Sequence, residues 1–242
     1  MKEILFTVLV CFQLLWVQAQ QQGTITYERK INMHRRTDDA QMKAMLPEFS
    51  TSRHVLFFSD SVSVYKSIRE EESPDPFESN GGPGPRIMIR MGPGENGILY
   101  KNFAKRLILE QTELADKNYI VDDTMNAETW KLAEGTTVVL GHTCKKATMK
   151  TMSGNEVTAW YADDIPAPAG PENFGGLPGA ILALDRNNGE VVFTATEIRK
   201  SVDKKELAEP KTGKHISRAD FQKKMDEILG PPGPDGRRIR RM

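Results

Sequence analysis

Residues 160–184, WYADDIPAPAGPENFGGLPGAILAL, constrain the fold of this chain more than any other segment. They join the aromatic end of one strand to a loop rich in Pro and Gly, and this loop leads directly into an apolar strand. Proline fixes φ, and glycine reaches backbone conformations that other residues avoid. We therefore expect the loop to hold one specific shape. The strand at 180–184 is apolar on both faces, so it is predicted to lie in the centre of a sheet.

The N-terminus has the pattern of a secretory signal peptide. Lys2 supplies the positive charge, residues 4–17 are mostly apolar, and residues 17–19 form a small-residue cleavage site. We predict a signal peptide over residues 1–19, with no membrane-spanning segment left after cleavage. An uncleaved anchor or a lipid on Cys11 are the alternatives.

Charge and cysteine content limit the classes of function. Lys plus Arg and Asp plus Glu each number 33, so bulk charge gives no indication of binding to nucleic acid or to an anionic membrane. If the signal peptide is removed, Cys144 has no partner for an internal disulfide. We interpret Cys144 as a small buried hydrophobe. The alternatives are an intermolecular disulfide and a nucleophilic thiol; the second is weaker, because His142 is nearby but no third orienting group is visible.

Short strand patterns separated by turn residues predict a mainly β domain over residues 20–200. The best hairpin signals are Ser59-Asp60-Ser61, residues 153–155 and Asn188-Gly189. Residues 70–85, rich in Glu, Pro and Gly, are predicted to form a surface loop. The strand candidates are residues 23–32, 54–58, 62–68, 86–91, 98–103, 106–111, 118–122, 130–134, 137–141, 144–152, 157–161, 180–184 and 191–198.

The C-terminal part has a different character. Residues 201–230 are predicted to form a charged linker and one helix at 217–229, which Ser217 caps and Gly230 ends. An apolar stripe that includes Phe221 and Met225 would dock this helix on the sheet. The basic tail, residues 231–242, is predicted to be disordered.

Several spaced motifs between residues 130 and 184 resemble those of the GLPGLI family of exported bacterial proteins. The matching residues, predicted to be structural, are Gly141, Cys144, Lys146, Ala147, Trp160, Tyr161, Pro166, Gly170, Pro171, Gly176, Leu177, Pro178 and Gly179. Ala180 departs from the motif, because it stands where the family has a second Leu.

The resemblance implies a fold and a location but no chemistry. Members are exported proteins of Gram-negative bacteria of the Bacteroidota type, and as a class they lack an assigned activity. The implied fold is an antiparallel curved sheet or half-open barrel, here with one C-terminal helix. The implied location is the periplasm or the outer membrane.

The surface around the loop is the candidate binding site. Flat side chains that could stack on a sugar or peptide are Trp160, Tyr161 and Phe174, and carboxylates are supplied by Asp163, Asp164 and Glu172. The competing interpretation is structural: the rings are core, the carboxylates shape turns, and the Gly-Leu-Pro-Gly motif locks the entry to a strand. No catalytic residue, cofactor or metal site is predicted.

Three functions remain open from the sequence. The leading prediction is a non-catalytic envelope protein that binds an unidentified ligand or protein partner. The first alternative is a glycan- or peptide-acting hydrolase that uses the loop carboxylates. The second is a metal-handling protein that uses soft Met and His ligands. The residues that suggest the second alternative are Met33, Met88, Met91, His34, His54, His142 and His215.

Overall fold

The computed structural model of this protein describes residues 22–68, 97–127, 129–152 and 154–230. Twelve strands in these ranges form one sheet. In chain order they are β1 (Gly23–Asn32), β2 (Phe49–Phe58), β3 (Val62–Ile68), β4 (Ile98–Asn102), β5 (Leu107–Leu114), β6 (Lys117–Thr124), β7 (Lys131–Val139), β8 (His142–Lys150), β9 (Glu156–Ala162), β10 (Ala180–Arg186), β11 (Val191–Arg199) and β12 (Lys214–Ser217). The helices are α1 (Ala40–Met45) and α2 (Arg218–Leu229), with 3₁₀ turns at His34–Arg36 and Lys204–Leu207.

The first strand lies in the interior of the sheet, with other strands on both sides of it. The strand order is β12-β6-β5-β4-β3-β2-β1-β11-β10-β9-β8-β7, and the two end strands do not pair with each other. Each neighbouring pair is antiparallel except β12 and β6, which are parallel. The predicted fold class is confirmed, and β10 lies inside the sheet as the sequence predicts.

The connection between β6 and β7 requires the sheet to curl. These strands lie near opposite ends of the sheet, ten strand positions apart. Across a flat sheet that separation is about 48 Å, since strands lie roughly 4.8 Å apart. The chain from Thr124 to Lys131 can span only about 25 Å when fully extended. The ends of the sheet must therefore approach each other, which gives an open, curved sheet with a concave and a convex side.

The two sides of the sheet carry separate apolar clusters. The larger one fills the concave side and includes Ile25, Tyr27 and Phe193. The smaller one, with Val64 and Tyr100, lies on the convex side of β3 to β6. The segment around Lys204–Leu207 contacts β2 and β3 on that side, where Lys66 Nζ binds Glu206 Oε2 at 2.5 Å.

The predicted C-terminal helix is confirmed as α2. The Ser217 side chain accepts a hydrogen bond from the Asp220 amide, and Gly230 follows the helix with φ +81°. Phe221 packs edge-on against Tyr119 at a centroid distance of 5.7 Å. The preceding linker differs from its prediction, because it contains a 3₁₀ turn and β12. This strand is too short and charged to show strand periodicity, and its pairing with β6 creates it.

Other local predictions were confirmed or refined. The hairpins at residues 59–61 and at Asn188-Gly189 are both present. Residues 130–134 and 137–141, predicted as two strands, form the single strand β7 with a register shift between Ala133 and Thr136. None of the helices in the described ranges is both long and apolar enough to cross a lipid bilayer. The predicted signal peptide, the strand at 86–91, the surface loop at 70–85 and the basic tail lie outside the described residues.

Candidate functional site

The Pro- and Gly-rich loop, residues 163–179, is packed into the concave side of the sheet; we call it the inner loop. Four of its residues belong to the main core, namely Ala167, Ala169, Phe174 and Leu177. Its backbone pairs with the start of β10, because the amides of Ala180 and Ile181 donate to Ile165 O at 2.9 Å and to Ala169 O at 3.1 Å. The inner loop therefore acts as core rather than as a free surface loop.

Two glycines permit this packing. A Cβ on Gly179 would lie 2.0 Å from Ala162 O, and a Cβ on Gly170 would lie 2.8 Å from Ile181 Cδ1. Real Cβ atoms do not approach backbone oxygen so closely, so the position of Gly179 admits no other residue without a backbone shift. This geometry supports a structural role for the motif.

Further motif residues lie on the adjacent strands. Gly141 has φ +83° in the turn between β7 and β8, and Cys144 and Ala147 of β8 are fully buried. Burial raises the pKa of the Cys144 thiol, which disfavours the thiolate that a nucleophile requires. Cys144 thus has the surroundings of a small buried hydrophobe.

The three predicted aromatic groups do not form one platform. Tyr161 and Phe174 are buried within the main core. Trp160 lies within β9 next to Tyr161 and is half-buried, with Lys146 Nζ 5.8 Å from its ring centroid. Trp160 packs against the same core from its edge, so the three rings offer no shared exposed surface on which a ligand could stack.

The three predicted carboxylates are also separate. Asp163 and Asp164 lie on the surface, where Asp163 Oδ2 is 2.5 Å from Lys145 Nζ and Asp164 Oδ2 is 2.7 Å from His142 Nδ1. The hydrogen bond from Lys145 lowers the pKa of Asp163, so this group is a carboxylate at neutral pH. Glu172 is buried between Arg29 and Arg186 instead.

The histidines are dispersed in the same way. His34 Nε2 lies 2.9 Å from Leu46 O, His54 Nε2 lies 3.0 Å from Ser52 Oγ, and His215 Nδ1 lies 2.9 Å from Asp122 Oδ1. Within the described residues, no group of three or more His, Cys, Asp or Glu side chains could hold a metal ion. Met88 and Met91 lie outside those ranges.

A pocket that sequence reasoning missed opens where the inner loop meets β4 to β6. Its volume is about 470 Å³, and we call it the end pocket. The lining residues are Lys101, Ile108, Asp123, Thr124, Met125, Asn126, Ala127, Pro168, Asn173, Gly175 and Gly176. Trp130 stands beside it, because its Nε1 donates to Gly175 O at 2.8 Å.

Polar groups of several kinds face this pocket. Asn126 and Asn173 are exposed amides, and each amide can both donate and accept. Lys101 Nζ donates to Phe174 O at 3.3 Å, which attaches the inner loop to β4. Asp123 Oδ2 accepts from Arg218 Nε at 2.9 Å, which attaches the rim to α2. The pocket therefore has a lining that can donate hydrogen bonds to a polar ligand and accept them from it.

These features define a curved, open antiparallel β domain with a filled concave side and a polar pocket at its end. The family model described as N-glycanase peptide, N-terminal domain matches residues 93–223, just over half of the chain. The chain belongs to this family. None of the curated proteins shows significant sequence similarity to it.

Solved structures support the same fold. The chain is similar to PNGF-II in two crystal forms, in space groups P21 and C2, with a TM-score of 0.57 and 15% sequence identity in each case. The similarity covers 86% and 87% of this chain but 34% of the PNGF-II chain. This chain thus spans about a third of the length of the relatives that it matches. Neither comparison bears on the GLPGLI resemblance, which stays a prediction.

Proposed function

We propose that this protein is a non-catalytic binding domain whose ligand is the glycan of a glycoprotein or glycopeptide. The end pocket carries the proposal, because amide, ammonium and carboxylate groups line an open cavity of about 470 Å³. Sugar hydroxyls both donate and accept hydrogen bonds, and groups of this kind can satisfy them. The family adds support, since its description names an N-glycanase.

The distribution of carboxylates favours binding over hydrolysis. Glycoside hydrolysis ordinarily needs two carboxyl groups across the scissile bond, and one of them needs a raised pKa. Among the described residues that line the end pocket, the one carboxylate is Asp123, and Arg218 binds it. Among the predicted carboxylates, Asp163 and Glu172 each contact a cationic side chain, and Asp164 contacts His142.

The proposed location follows from the sequence. A glycan-binding domain needs access to exported or extracellular glycoproteins, and the predicted signal peptide would place the chain in the periplasm or at the outer membrane. The GLPGLI resemblance implies the same location. Exported glycoproteins are thus the proposed partner class.

Isothermal titration calorimetry tests the proposal. We expect an N-glycosylated peptide to bind the protein and the same peptide without its glycan to bind at least tenfold more weakly. The double variant Asn126→Ala, Asn173→Ala should weaken glycopeptide binding about tenfold or more, because each lost hydrogen bond contributes roughly 0.5–1.5 kcal/mol. Asn118→Ala is the matched control, since Asn118 is an exposed amide at the other end of β6.

Two results would count against the proposal. Equal affinity for the glycosylated and unglycosylated peptides would show that the glycan is not the ligand. Mass spectrometry of the peptide after prolonged incubation should show it intact. Release of sugar or cleavage of the peptide would instead support the hydrolase alternative.

A further inference from the structure

Three buried polar atoms in the concave side of the sheet have no hydrogen-bond partner. Among the described residues, the buried side-chain nitrogen and oxygen atoms without a partner are Arg29 Nε, His54 Nδ1 and Tyr65 Oη. Folded proteins rarely leave such groups unsatisfied, so each one calls for an explanation. They belong to three adjacent strands, β1, β2 and β3.

The three side chains lie next to one another. In the β1–β2 register Tyr27 faces His54 and Arg29 faces Ser52, so Arg29 and His54 are diagonal neighbours. The His54 and Tyr65 rings stack at a centroid distance of 5.2 Å and an interplanar angle of 2°. Burial and the charge of Arg29 lower the pKa of His54 to about 4, which leaves this ring neutral at pH 7.

Glu172 and Arg186 complete this group, which we call the polar cluster. Glu172 Oε1 is 3.5 Å from Arg29 Nη2, and Glu172 Oε2 is 3.6 Å from Arg186 Nη1. Charge-assisted hydrogen bonds are ordinarily shorter, roughly 2.7–2.9 Å. The two guanidinium groups therefore flank the carboxylate without closing on it.

The charges of the polar cluster do not cancel. Arg29 and Arg186 are cationic, Glu172 is anionic, and His54 and Tyr65 are neutral, so one positive charge is in excess. The side chains of Arg29 and Glu172 are 9% and 11% exposed. The side chain of Arg186 is 23% exposed, so water screens part of the excess charge, and a counter-charge would balance the remainder.

The three unpartnered atoms can all act as donors. The Arg29 Nε–H group can only donate, and the Tyr65 hydroxyl can donate as well. His54 Nδ1 donates when its Nε2 accepts from Ser52 Oγ, which lies 3.0 Å away. A water molecule would accept from two of these donors at most and would leave the excess charge in place.

We propose that the polar cluster binds one monovalent inorganic anion of about the size of chloride, inside the sheet between β1, β2, β3 and the inner loop. The anion accepts from Arg29, His54 and Tyr65 and balances the excess positive charge. It reaches the cluster past Arg186, whose side chain is 23% exposed. This site is independent of the end pocket and of the proposed function.

Bromide is the probe for this site, because its anomalous scattering distinguishes it from water. Crystals of the whole protein, purified in gluconate and then transferred to sodium bromide, should show one anomalous peak within hydrogen-bond distance of the three donors. Thermal unfolding at constant ionic strength provides the second measurement. The midpoint should rise as bromide or chloride replaces gluconate, since a ligand of the native state stabilises it.

Tyr65→Phe is the informative variant, because it removes one donor and keeps the ring that stacks on His54. It should weaken the halide affinity, obtained from how the midpoint depends on halide concentration, about tenfold, the loss expected for a hydrogen bond to a charged group. Tyr119→Phe, the same change on β6 against α2, should behave like the unmodified protein. The proposal is wrong if no bromide peak occurs at the cluster, or if halide stabilises Tyr65→Phe as strongly as the unmodified protein.

Discussion

Truncation of Phe174 measures how much the inner loop contributes to the core. Phe174 packs in the main core and lies 6.4 Å from Trp130 between ring centroids. Phe→Ala changes in a core cost about 3–5 kcal/mol, from lost transfer free energy and from the cavity that remains. Phe174 is 8% exposed and adjoins the end pocket, so solvent can fill part of the void. We therefore expect Phe174→Ala to lower the free energy of unfolding by about 3 kcal/mol.

Urea denaturation followed by circular dichroism measures this loss. The matched control is Phe49→Ala, because Phe49 is 40% exposed on β2, where the Lys30 ammonium lies 4.0 Å from its ring centroid. That change should cost about 1 kcal/mol or less, as expected for a cation–π contact at the surface. If the two variants lost similar amounts, or if Phe174→Ala lost under about 1 kcal/mol, the inner loop would not be part of the core.

Three further predictions concern single positions. Gly179→Ala should prevent folding or destabilise the protein far more than Gly176→Ala. A Cβ at 179 would lie 2.0 Å from Ala162 O, whereas at 176 only the positive φ opposes the change. Denaturation of both variants checks this order. Ser217→Ala should lower the free energy of unfolding by about 1 kcal/mol through loss of the α2 cap, whereas Ser217→Asp, which keeps a capping oxygen, should retain most of the stability. The pKa of His54 is about 4 in the folded protein and about 6.5 when unfolded, so the unfolded state binds more protons between these values and stability falls as pH drops. Unfolding at pH 7 and pH 5 should differ by up to about 2 kcal/mol from this group, and a His54→Phe variant that kept the full difference would contradict the assignment.

The strands and the C-terminal helix could be predicted because their information is local. Asn188-Gly189 adopts φ +52° and +93° in the turn between β10 and β11, which these residue types permit. Ser217 caps α2 through its own side chain. The single strand β7 was predicted as two strands, because the alternation of residues is interrupted at Gly135, where the register shift occurs.

The arrangement of the site could not be predicted, because it depends on contacts between distant parts of the chain. Glu172 occupies a Pro- and Gly-rich segment that is typical of a surface loop, yet it lies between Arg29 and Arg186. The end pocket is lined by residues between 101 and 127, on and after β4 to β6, and by residues between 168 and 176 of the inner loop. Strand periodicity reports which face is buried, but it does not report which strands the curl of the sheet brings together.

A crystal structure of the protein soaked with an N-glycosylated peptide tests the proposed function most directly. We predict sugar density in the end pocket, with hydroxyl groups within hydrogen-bond distance of Asn126 and Asn173 and the glycan intact. Well-ordered glycan bound elsewhere on the domain, with the end pocket occupied by solvent alone, would contradict the proposal.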